Sequence, residues 1–127
     1  MRRMLSAVMV ASALAGQAGA QVGVKETDRV YGKAELAGLL SGHAVEYFDG
    51  SISRYRDDGA YSYKYREDDR PHLGTYEVVS DGRVCVDFLN GSSRCDSFVF
   101  DGQRMVLIIA GGTRFPVRRH RELVNDY

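Results

Sequence analysis

From His43 onward the chain alternates apolar and polar residues in short runs. They are punctuated by Asp49-Gly50, Asp58-Gly59, Asp81-Gly82, Asn90-Gly91, Asp101-Gly102 and Gly111-Gly112. Alternation puts successive side chains on opposite faces of a strand, and Asn/Asp-Gly tolerates the positive φ of a tight reversal, so the pattern predicts hairpins. Eight strands follow, near His43–Phe48, Ile52–Arg56, Ala60–Arg66, Leu73–Val79, Arg83–Phe88, Ser92–Val99, Arg104–Ile109 and Thr113–Val117. One connection, Glu67–Pro71, is made of charge and is expected at the surface. Ahead of the strands, Lys33–Leu40 sets Leu36, Leu39 and Leu40 on one helical stripe, with Gly42 beyond its end as a C-cap. The predicted fold is mainly β: an antiparallel meander of about eight short strands closing into a small barrel or curled sheet, with one short N-terminal helix packed on it.

The later strands are apolar on both faces, Val84, Val86 and Phe88 against Cys85, and Met105, Leu107 and Ile109 against Val106 and Ile108, so both sides need cover. Taking Leu89-Asn90-Gly91 as a three-residue loop with Gly91 in a G1 bulge pairs Phe88 with Ser92 and brings Cys85 opposite Cys95. That is a non-hydrogen-bonded pair, with Cα atoms about 4.5 Å apart, inside the range of a disulfide. The same loop at Asp57-Asp58-Gly59 sets Tyr55 opposite Tyr61. One face then collects Val45, Tyr47, Tyr55, Tyr61, Tyr63 and Tyr65. These rings read either as the core of a small meander or as an aromatic contact surface. Arg94 and Asp96 interrupt the apolar face set by Val84 and Val86; the favoured expectation is that their strand is an edge and both charges are wet, the alternative a buried ion pair or ligand anchor.

Residues Met1–Ala20 combine two arginines, an apolar run and the small-residue ending Ala18-Gly19-Ala20, which predicts a secretory signal cleaved after Ala20. The expected divisions are 1–20 as signal, 21–32 as an extended or loose segment, 33–117 as a single β domain and 118–127 as a tail. Localisation is expected to be periplasmic or secreted, with no integral membrane segment after cleavage. Without the signal, 15 basic residues stand against 17 acidic ones, so there is no positive excess to neutralise a phosphate backbone, and nucleic acid is not an expected partner. Two cysteines in an oxidising compartment read as a disulfide.

His43, His72 and His120 stand in no ligand spacing, and no nucleophile elbow, phosphate loop or Cys/His pair is present, so neither metal, cofactor nor catalytic residue is predicted. Leu-Leu-Ser-Gly-His after the helix, the Tyr-rich strands, Val-Cys-Val-Asp-Phe, Ser-Arg-Cys-Asp and the final Arg-Phe-Pro-Val-Arg together resemble a family of small exported bacterial proteins of unassigned function, over about residues 33–117. The resemblance implies no catalytic residues. The chain is also similar in size and strand order to lipocalin-like barrels, although it has no Trp for their Gly-x-Trp motif. The expected function is a non-catalytic binding or interaction module of the cell envelope, with an unknown small molecule or envelope protein as partner. Its expected contacts are Tyr47, Tyr55, Tyr61, Tyr63, Arg54 and Arg56. The alternatives are a proteinaceous inhibitor of a lysozyme or protease, probing with the loop Leu89–Arg94, and an enzyme of unrecognised type.

Overall fold

A computed structural model describes residues 21–124, so the expected signal Met1–Ala20 and the last three residues of the tail lie outside the described residues. The elements run β1 (Arg29–Val30), α1 (Lys33–Leu40), β2 (His43–Tyr47), β3 (Ile52–Tyr55), β4 (Ala60–Lys64), β5 (His72–Ser80), β6 (Arg83–Phe88), β7 (Ser93–Phe100), β8 (Met105–Ile108) and β9 (Arg114–Glu122). Strands β2 to β9 pair in sequence order, all antiparallel, and β9 pairs back onto β2, closing an eight-stranded barrel. β1 pairs with Val99 and Phe100, past the stretch of β7 that β6 covers. No described helix is long and apolar enough to cross a membrane.

The expected turn chemistry sets the registers. Phe88 N–H donates to Ser92 O at 2.8 Å and Gly91 N–H to Phe88 O at 3.0 Å; Arg56 and Ala60 flank the matching loop, with Gly59 N–H on Arg56 O at 3.1 Å. Gly59 and Gly91 each sit at φ 89°, a conformation that a Cβ would strain. Tyr55 therefore faces Tyr61. Cys85 faces Cys95 across a disulfide with Cα atoms 4.0 Å apart.

Alternation then sorts the side chains. Val45, Tyr47, Tyr55, Tyr61, Val84, Val86, Phe98, Met105, Leu107 and Val117 point inward and form one buried cluster with Leu36 and Leu40 of α1. Leu39, also on the predicted stripe, is only partly buried.

Two expectations are corrected and one is narrowed. Residues 21–32, expected to be extended or loose, are held in place: they form a strap across the outside of β7 and β8, where Val24 packs on Val99, Val106 and Ile108. Gln21 bridges Ile109 O and Ser97 Oγ at 3.0 and 3.1 Å, and Arg114 holds Asp28 through both carboxylate oxygens. A polar segment can be fixed in this way because the outer apolar stripe of the barrel supplies the burial. Residues 118–122 are not tail but the second half of β9, pairing with His43–Glu46, so the barrel extends past Val117. Finally, β7 is paired with β6 over Ser93–Ser97 and with β8 over Ser97–Phe100, and Arg94 and Asp96, opposite Val86 and Val84, face the barrel interior, Asp96 buried and Arg94 partly exposed.

The Asp28 side chain is almost wholly buried, and the Arg114 hydrogen bonds hold its carboxyl below the ordinary value against the opposing effect of burial. Its contribution to stability is therefore full above about pH 4 and lost as pH falls through the depressed native value. Asp28→Asn should cost roughly 3 kcal/mol in urea unfolding at pH 7. The gap to wild type should close on acidification; a gap independent of pH would show that the bridge does not anchor the strap.

Candidate functional site

The two ends of the barrel differ. At one end α1 inserts Leu36 and Leu40 into the interior cluster. Its N-terminus is held by Lys33 N–H donating to Asp81 Oδ1 at 2.8 Å. Near its C-terminus His120 Nε2 donates to Leu39 O at 2.5 Å while its ring stacks on His43 at 4.6 Å. These two histidines act as struts between helix and barrel. At the other end lie the β2–β3, β4–β5, β6–β7 and β8–β9 connections, and no helix covers it among the described residues.

The residues expected to form one contact surface are distributed differently. Tyr47, Tyr55 and Tyr61 are buried, and the Tyr55 ring meets Tyr61 at 5.1 Å and Tyr76 at 5.0 Å. Tyr63 is half-buried at the open end, edge-on to Tyr65 at 4.7 Å. Alternation sends Arg54 to the outer wall, where its Nε is buried without a partner, and Arg56 is exposed toward the helix end, its carbonyl accepting the Tyr76 hydroxyl at 2.7 Å. Neighbours along a strand cannot share a face, so the tyrosines and the two arginines form no common surface. Only Tyr47 and Tyr63 of the six line the open end.

What the strand pattern left as an interrupted apolar face is the site's most unusual feature. Arg94 binds Asp96 side-on, Nε to Oδ2 at 2.8 Å and Nη2 to Oδ1 at 3.1 Å, among the inward residues of β6 and β7. The Asp96 side chain is 9% exposed, the Arg94 side chain 37%. Burial works to lower the Arg94 pKa, but the bonds to Asp96 prevail and hold it above its ordinary value, so the guanidinium stays charged. Nη1 has no partner among the described residues.

Arg94 lines two adjoining cavities at the mouth. One, of about 190 Å³, is walled by Tyr47, Asp49, Tyr63, Leu107, Ile109 and Phe115; the other, of about 180 Å³, by Tyr63, Tyr65, His72, Phe88, Asn90 and Ser92. Tyr65, His72, Phe88 and Phe115 were not among the expected contacts; only Tyr65 carried a signal, as the next member of the Tyr61/Tyr63 alternation. A larger groove of about 470 Å³ lies outside the barrel between the strap and the β5–β6 turn, but it contains no buried polar atom lacking a partner.

Tyr47 Oη does lack one. It is buried against the first cavity and makes no hydrogen bond of acceptable geometry; Ser53 Oγ, its polar neighbour, is bonded to Tyr61 Oη at 3.0 Å. Burial, then the Tyr61 phenol and the Asp96 carboxylate, push the Tyr47 hydroxyl well above the usual tyrosine range, and burial pushes Tyr61 up to about 12. Both groups stay neutral hydrogen-bond donors at neutral pH. A buried orphan hydroxyl costs about 1–3 kcal/mol, so Tyr47→Phe should leave unfolding stability unchanged or raise it by about 1 kcal/mol in urea titrations. A loss of that size would mean the hydroxyl is bonded.

Comparison of the chain with known protein families, with curated proteins and with solved structures finds no match, so the reading of this site rests on its own geometry.

Proposed function

We propose that the protein is an exported, non-catalytic binding module that takes its partner at the open end of the barrel. The observation that carries the reading is the Arg94–Asp96 pair: a buried carboxylate held by a partly exposed guanidinium inside an aromatic and aliphatic barrel, with one guanidinium nitrogen left free beside an accessible cavity. A hydrophobic pair of similar volume would stabilise the barrel as well or better, so a charged one is retained for recognition. Tyr47, its hydroxyl buried without a partner, stands in the wall of the same space, and Leu107, Ile109 and Phe115 supply apolar walls. A group bearing a hydrogen-bond acceptor on a flat apolar body suits this lining. Export is supported by the Cys85–Cys95 disulfide, which persists in an oxidising compartment.

The test is a set of single-ring fragments (phenol, benzamide and benzoate) added to ¹⁵N-labelled protein. Backbone shifts should cluster at Ser51, Tyr63 and Arg94 and weaken at least tenfold in Arg94→Gln. Shifts scattered over the outer wall, or none at the mouth, would overturn the proposal.

One observation favours a second reading, inhibition of an envelope enzyme. Leu89, 77% exposed, stands at the tip of the hairpin braced by the disulfide. Inhibition of a lysozyme or protease that is abolished by Leu89→Asp would favour it over the mouth.

A further inference from the structure

We infer that the mouth takes an extended peptide segment with a basic residue at one end, an inference that rests on the mouth being the binding site. Neither cavity touching Arg94 reaches the roughly 300 Å³ at which pockets that enclose a whole drug-sized ligand begin. At about 190 and 180 Å³ each has room for one side chain.

The cavities do not stand alone. The first shares Asp49, Ser51 and Tyr65 with a further depression toward the β4–β5 loop. The second shares His72, Phe88 and Asn90 with one toward Leu73 and Leu89. Three side-chain-sized hollows and a wider one of about 420 Å³ at the β4–β5 loop thus follow one another across the barrel end as a trough. A strand offers successive side chains along such a line, whereas a compact molecule would fill one hollow and leave the others wet.

The chemistry of the trough changes along its length. At the β4–β5 end Asp49, Glu67 and Asp68 stand beside Arg66, with Asp68 also paired to His72 Nε2 at 3.2 Å, so the carboxylates outnumber the bases. At the centre, Arg94 Nη1 bonds to no described residue and is open to a peptide carbonyl, and the wall beside it holds the buried, unpartnered Tyr47 hydroxyl. At the far end Leu73 and Leu89 are 50% and 77% exposed, with Leu89 N–H donating to Leu73 O at 2.9 Å. The matching segment has a lysine or arginine over the acidic end, an aromatic residue at the centre and an aliphatic one over the leucines.

Two amidated pentapeptides test this on the mature chain, one ordered lysine, glycine, phenylalanine, glycine, leucine and the other reversed, because the direction of the bound chain is open. Each is paired with a glutamate analogue in place of lysine. One lysine peptide should shift the amides of Tyr63, Asn90 and Arg94. Its glutamate analogue should bind at least fivefold more weakly, and Glu67→Lys should abolish or invert that preference. Equal binding of lysine and glutamate peptides, or none by any peptide while single-ring fragments still shift the mouth signals, overturns the peptide inference and leaves the mouth as the site. Failure of fragments and peptides alike overturns both.

Discussion

Closing eight antiparallel strands into a ring creates one enclosed volume that every second side chain must enter, and the character of this protein follows from what its sequence sends there. The chain supplies three buried tyrosines from the early strands and Val84, Val86, Phe98, Met105, Leu107 and Val117 from the later ones, so rings and aliphatic groups meet across the barrel. Closure depends on β9 returning to β2 over residues 43–47, and hence on a stretch whose sequence is mostly charge. It also fixes what is needed outside. The inward set of β7 and β8 leaves Val99, Val106 and Ile108 facing out, and the strap over them is clamped by Arg114 on Asp28.

The same ring gives the molecule two unlike ends. Helix α1 stops one with Leu36 and Leu40, tied at its start to Asp81 and near its finish to His120. Among the described residues no helix covers the other end, above Arg94 and Asp96. Dehydrating the Asp96 carboxylate and part of the Arg94 guanidinium costs free energy that only good geometry offsets. The side-on pair at 2.8 and 3.1 Å has that geometry, but it satisfies only two of the three guanidinium nitrogens. A barrel selected for stability alone would be expected to fill this position with aliphatic side chains. On the proposed reading, the free nitrogen, the orphan Tyr47 hydroxyl and the aromatic lip of Tyr63 and Tyr65 are the parts that recognition uses.

Local signals carried much of the fold. The Asx-Gly turns located the hairpins, and the three-residue loop at Asn90-Gly91 was enough to place Cys85 opposite Cys95 before any contact was known. What stayed hidden depends on partners distant in sequence. Residues 118–122, Arg-Arg-His-Arg-Glu, have no apolar alternation, because their register comes from β2. Gln21–Val30 has no period because what orders it is the outer stripe of β7 and β8. Arg94 and Asp96 resemble edge charges until the ring is seen to close, since a sequence does not announce whether a strand has one neighbour or two. The site was legible in the same partial way: the tyrosine row was visible, but which members reach the mouth depends on their depth in the barrel, and Arg54 and Arg56 were set apart from them by the pleat itself.

The central claim is that the interior ion pair serves recognition and not stability. The most direct test replaces both partners together, Arg94→Met with Asp96→Leu, and measures urea unfolding and fragment shifts at the mouth on the same protein. The account predicts a barrel as stable as the parent or more so by about 1–4 kcal/mol, with the shifts at Tyr63 and Ser51 gone. A barrel weakened by several kcal/mol that still shows those shifts would contradict it and make the pair a structural element.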